Sequence, residues 1–69
     1  MGLVNILLNG APREEPAELT VAQLLSRLEM PPRGIAVELN QQIIPRSRHA
    51  EQKLRDGDRI EIVSLVGGG

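Results

Sequence analysis

The sequence contains no cysteine, tryptophan, tyrosine or phenylalanine, and only one histidine. Without cysteine there is no disulfide framework, and a lone histidine cannot build a structural zinc site, so a small domain must be held by packing alone. The missing aromatic rings remove the stacking platforms of single-strand nucleic-acid binders, and a formal net charge of -1 offers no attraction to a phosphate backbone. No apolar run approaches the roughly 20 residues that cross a bilayer, and the N-terminus lacks a basic segment followed by an apolar stretch of about 7 to 15 residues. These absences read as a soluble, cytoplasmic protein that engages neither nucleic acid nor membrane.

What is present suffices for one small domain. The 69 residues are 41% hydrophobic and 25% charged, an ordinary globular balance whose core must be Leu, Ile and Val. Leu3 to Leu8 is a short apolar run closed by Asn9-Gly10, a strong two-residue hairpin signal because both central positions of a type I′ turn need positive φ. The return segment, Ala11 to Leu19, carries Pro12, Pro16, Glu14, Glu15 and Glu18, and reads as a charged edge strand. Thr20-Val-Ala-Gln23 has the form of a capping box, and Val21, Leu24, Leu25 and Leu28 follow at one-face helical spacing until Met30-Pro31-Pro32. Ile35 to Leu39, Asn40-Gln41 and Gln42 to Arg46 read as a second hairpin, its later strand confined to an edge by Pro45. Ser47 to Leu54 is polar, with at most one weak helical turn. Asp56-Gly57-Asp58 is a turn that launches a last strand, Arg59 to Leu65. The order β-β-α-β-β-β predicts an α+β fold, one helix covering one face of a four- to five-stranded sheet. Residues 1–66 form the domain and 67–69 a flexible glycine tail.

Independent catalysis requires a nucleophile with its base, a carboxylate pair or a metal set, and the sequence shows none. Asp56 and Asp58 flank a turn glycine and read as turn chemistry. His49 lies in a polar segment without a second ligand and reads as a surface side chain. Arg46, Arg48, Lys53, Arg55 and Arg59 in the second half, and Glu14, Glu15 and Glu18 in the first, read as solvated surface ahead of a docking patch for an acidic partner. Leu7, Val63 and Leu65 alternate with Ile6 and Ile62, so they fall on the sheet face away from the helix. There they are either a contiguous partner surface or scattered exposures. Gly67, Gly68 and Gly69 cannot form a phosphate loop, since no helix follows them. Three residues without Cβ after a strand instead make an arm of about 10 Å when extended, narrow enough for a channel in a partner enzyme. An isolated glycine triplet would read as a frayed end or linker; in this context the α-carboxylate becomes the reactive group.

The segments "LNG", "TVAQLL", "GIAVELNQQIIPRS" and "LRDGDRIEIVSLVGGG", with the overall length, resemble the ThiS family of sulfur carrier proteins of thiamine biosynthesis. His49 departs from the family pattern, which often has an aromatic there. The resemblance covers essentially the whole chain and implies a ubiquitin-like β-grasp fold with the last strand parallel to the first. It implies no enzyme activity and no cofactor or metal bound by this chain. A ThiF-type adenylyltransferase would use ATP and Mg²⁺ to adenylate Gly69, a sulfur donor protein would convert it to a thiocarboxylate, and a ThiG-type thiazole synthase would take the sulfur. Two other readings are the small subunit of molybdopterin synthase, against which the length and "IIPR" speak, and a ubiquitin-like modifier conjugated to lysines.

Overall fold

The computed structural model describes residues 2–31 and 33–65. Strands β1 (Leu3–Leu8), β2 (Ala11–Pro16), β3 (Ile35–Leu39), β4 (Gln42–Ile44) and β5 (Arg59–Ser64) form one mixed sheet in the order β2-β1-β5-β3-β4, with helix α1 (Val21–Arg27) on one face. β1 and β5 lie side by side and parallel, and the other neighbouring pairs are antiparallel. This is the β-grasp arrangement that the resemblance implied.

Local chemistry sets the elements. Asn9 and Gly10 have φ of 50° and 85°, and Asn40 and Gln41 have φ of 52° and 71°, so both hairpins turn through two left-handed residues, matching the twist of their strands. At the start of α1 the Thr20 side chain accepts from the Gln23 amide at 3.1 Å while Gln23 Oε1 accepts from the Thr20 amide at 2.9 Å. The next orphan donors are met from across the fold, where the Val21 amide donates to Gln52 O and the Ala22 amide to His49 O. The helix stops at Arg27, ahead of the two prolines. Leu28 caps it, Glu29 takes φ of 58°, and the Met30 and Glu29 amides return to Leu25 O and Ser26 O. That is a Schellman closure with glutamate in the position glycine usually fills.

The core is aliphatic throughout. Val21, Leu24 and Leu25 of α1 meet Ile6, Val37, Leu39, Ile60 and Ile62 from the inner pleat of the sheet, joined by Leu19 and Leu54 from the connections. Leu54 lies in the segment read as polar, and its amide donates to Leu19 O at 2.8 Å. β4 ends at Ile44, short of the predicted Arg46, because Pro45 leads into a 3-10 turn at Arg46–Arg48.

Two charged or polar residues read as solvated are inside. Glu15 is 1% exposed: it shares the inner pleat of β2 with Arg13, where both face α1, and it holds ion pairs with Arg13 and with Arg27 in the last turn of the helix. Arg27 Nε stands 2.7 Å from Glu15 Oε1 as a charge contact without an aligned hydrogen bond. His49 is 6% exposed, because the 3-10 turn folds the ring inward to the end of β4, where Nε2 lies 3.0 Å from Ile44 O. The surface reading of His49 and the solvated reading of Glu15 are thereby corrected.

Candidate functional site

β5 is the element that leads toward the C-terminal glycines, and its position is fixed by short polar side chains. Asp56 Oδ1 accepts from the Asn5 amide at 2.7 Å, and the Gly57 amide donates to Asn5 O at 2.7 Å, which ties the turn to the middle of β1. Asp58 Oδ2 accepts from the Arg55 amide and Oδ1 from the Asn40 side chain, whose own Oδ1 accepts from the Arg59 amide at 2.9 Å. Both aspartates therefore serve the turn, as their spacing predicted: Oδ1 of Asp56 and both oxygens of Asp58 are engaged with backbone and asparagine donors. At the other end of β1, Asn9 Oδ1 accepts from the Ile62 amide at 2.9 Å and extends the parallel pairing by one bond.

The outer sheet face carries the apolar residues singled out in the sequence. Val63 of β5 is 51% exposed, and Leu65, one residue past the end of the strand and two beyond Val63, is 65% exposed. Leu7 is half-buried and pairs with Arg59, four residues before Val63, a separation of about 13 Å along the strand. The register thus keeps Val63 and Leu65 together and places Leu7 apart from them. Ala36 is opposite Val63, and Ile43, 63% exposed, sits diagonally beyond it on β4. Sequence reasoning missed Ile43, whose outward direction follows only once its pairing with Glu38 is known. Beside this patch Glu38 and Glu61 face each other directly across β3 and β5. Like charges so placed repel, and a cationic group brought over them would be held.

A cleft of about 320 Å³ lies on the other side, lined by Ala22, Leu25, Ser26, Met30, Arg46, His49 and Ala50. His49 Nε2 is engaged with Ile44 O. Among the described residues no three of His, Cys, Asp and Glu gather to hold a metal, and no helix is long and apolar enough to cross a membrane. Gly67, Gly68 and Gly69, the predicted reactive arm, lie outside the described residues, as does the boundary between domain and tail at 66.

Comparison with known proteins agrees with this architecture. The model of the ThiS family matches residues 6–69. The chain is 36% identical to sulfur carrier protein ThiS of Escherichia coli K12, covering 96% of this chain and 100% of that one. It is 41% identical to a thiazole synthase of Paramagnetospirillum magneticum, again over 96% of this chain, and there it spans only 20% of the longer protein. The crystal structure of the thiamine biosynthesis protein ThiS from Geobacter metallireducens superposes with a TM-score of 0.82 at 32% identity, covering 96% of this chain and 100% of that one. The chain belongs to the ThiS family, the sulfur carrier proteins of thiamine biosynthesis.

Proposed function

We propose that the chain carries sulfur as a thiocarboxylate on Gly69, as a protein cosubstrate of two enzymes. The observation that carries this reading is the family match running through Gly69, at the end of a glycine triplet that follows β5. A carboxylate is a poor electrophile and must be activated before sulfur can add. An adenylyltransferase using Mg²⁺ and ATP joins the Gly69 carboxylate to AMP and releases pyrophosphate. The terminal sulfur of a persulfide on a sulfur donor protein then attacks the acyl carbon, AMP leaves with the bonding electron pair, and a second thiol of the partner proteins cleaves the remaining S–S bond, which leaves a disulfide on the partners and sulfur where one oxygen was. A thiazole synthase takes that sulfur. The adenylyltransferase and donor supply the nucleotide, metal and thiol chemistry, in keeping with the absence of cysteine from this sequence.

Docking falls to the outer face of the sheet, where Val63, Leu65 and Ile43 are exposed beside the Glu38 and Glu61 pair, with Leu7 at the periphery. An apolar patch with an acidic rim suits an enzyme surface that presents apolar residues and a cation.

Pyrophosphate exchange with the adenylyltransferase tests the reading on three chains: the protein, a variant lacking Gly69, and one with an alanine appended. The deletion leaves the carboxylate about 3.5 Å short, and a misplacement of roughly 1 Å can already lower a positioned reaction about 100-fold. The extension carries it past the reacting phosphate and adds a methyl group. Both variants should lose exchange while melting with the parent, whereas equal exchange by all three would make the tail a linker.

A further inference from the structure

We propose that the uncovered edge of β5 at Ile62 and Ser64 receives an extended segment of the thiazole synthase by main-chain pairing. This rests on the reading of the chain as a sulfur carrier and adds a mode of recognition to it. β5 is an inner strand only in its first half. β1 pairs with it at Arg59 and Ile60 and ends at Leu8, whereas β3 accompanies it as far as Ser64, opposite Ile35. The hydrogen bonds fix which way each group points. The Asn40 amide donates to Arg59 O and the Leu65 amide to Gly34 O, so odd-numbered residues of β5 bond toward β3. Even-numbered residues bond toward β1, as the Asn9 amide does to Ile60 O at 2.8 Å. Asn9 Oδ1 takes the Ile62 amide. The Ile62 carbonyl and the amide and carbonyl of Ser64 then point past the end of β1.

The other edges of the sheet are blunted and this one is not. β2 carries Pro12 and Pro16, and β4 is three residues long and followed by Pro45. Folded proteins suppress unwanted strand addition by such means. Ile62 to Leu65 contains neither proline nor lysine. An enzyme that draws in Gly67 to Gly69 meets no side chains there, so the chain can be gripped only by its backbone, and pairing at Ser64 begins that grip three residues ahead of Gly67 in the sequence. Val63 and Leu65 alternate with the pairing positions and supply apolar contacts on the outer face. The thiazole synthase is the occupant chosen because a region 41% identical to this chain is part of a longer protein of that name, where linkage keeps the two surfaces together.

Ser64→Pro removes the outward amide and leaves the bonds to β3 intact, whereas Ser64→Ala keeps it. With purified thiazole synthase, calorimetry should find the alanine variant binding like the parent and the proline variant about tenfold to a hundredfold weaker, since the facing carbonyl is left without a donor. Hydrogen exchange at the Ser64 amide of the unmodified protein, read by mass spectrometry with and without the synthase, gives the same answer should the proline variant unfold. Equal binding by a folded proline variant, or unchanged exchange in a formed complex, would overturn the edge pairing alone. No binding by the parent would overturn the thiazole synthase as partner, and the pairing with it.

Discussion

Removing Arg13 and Arg27 together should cost far more stability than removing the glutamate they hold. The Glu15 side chain is 0% exposed, while those of Arg13 and Arg27 are 37% and 50% exposed. In Glu15→Met the two guanidinium groups turn to water and methionine fills most of the space, so the loss should stay within about 1 kcal/mol. In Arg13→Met with Arg27→Met the carboxylate is left in the interior without a cation, and breaking a buried pair in this way costs about 3–5 kcal/mol. A 69-residue domain has a total stability of roughly 3.5–10 kcal/mol, so this loss removes about a third of it at the upper end and nearly all of it at the lower. The triple variant, which lacks all three charges, should recover to within about 2 kcal/mol of the parent, because an apolar replacement of a whole buried ion cluster is often neutral. Urea titrations of the four proteins, followed by far-UV circular dichroism, provide the comparison. A double variant with the midpoint of the parent would refute the burial of Glu15 as a charged group, and a triple variant no better than the double would refute the ionic origin of the loss.

Val63→Asp should weaken binding to the adenylyltransferase by tenfold or more without moving the melt, because the new carboxylate would be desolvated in an apolar contact next to Glu61; calorimetry and a thermal scan separate the two effects. Asn9→Ala should lower stability by about 1–3 kcal/mol, since the Ile62 amide loses its acceptor and alanine must hold φ of 50°, whereas Asn9→Gly relieves the backbone and should lose less, as denaturant midpoints would register. The hydrogen bond from Lys53 and its charge hold the Glu18 carboxyl below its ordinary value of 4.5, so this pair contributes above that pH and its contribution fades as pH falls through the lowered value. In Lys53→Met the Glu18 titration followed by NMR should return upward toward 4.5, and an unchanged curve would refute the pairing.

Much of this fold was legible because its signals are local. Asn9-Gly10 and Thr20-x-x-Gln23 act over two to four residues, and the alternation of Ile60 and Ile62 with Glu61 and Val63 directly marks the buried pleat of β5. Glu15 was misread because charge alone was weighed. Its i, i+2 spacing from Arg13 placed both on one pleat, between outward Pro12, Glu14 and Pro16, but Arg27 joins them only through the packing of α1 on the sheet. His49 followed the same course, since a polar neighbourhood in sequence says nothing of a turn that folds the ring against Ile44 O. The separation of Leu7 from Val63, and the arrival of Ile43 near Ala36, depend on strand order and register, which no single segment encodes.

The central claim is that Gly69 bears the sulfur, and top-down mass spectrometry of the protein after turnover with its adenylyltransferase, Mg²⁺, ATP and a sulfur source tests it most directly. Oxidation of Met1 or Met30 adds an oxygen and resembles the exchange of oxygen for sulfur in nominal mass, so fragmentation must place the change along the chain. The account predicts one sulfur in place of one oxygen, confined to Gly69 and dependent on ATP. A modified internal residue, or an unchanged Gly69 under turnover, would contradict it.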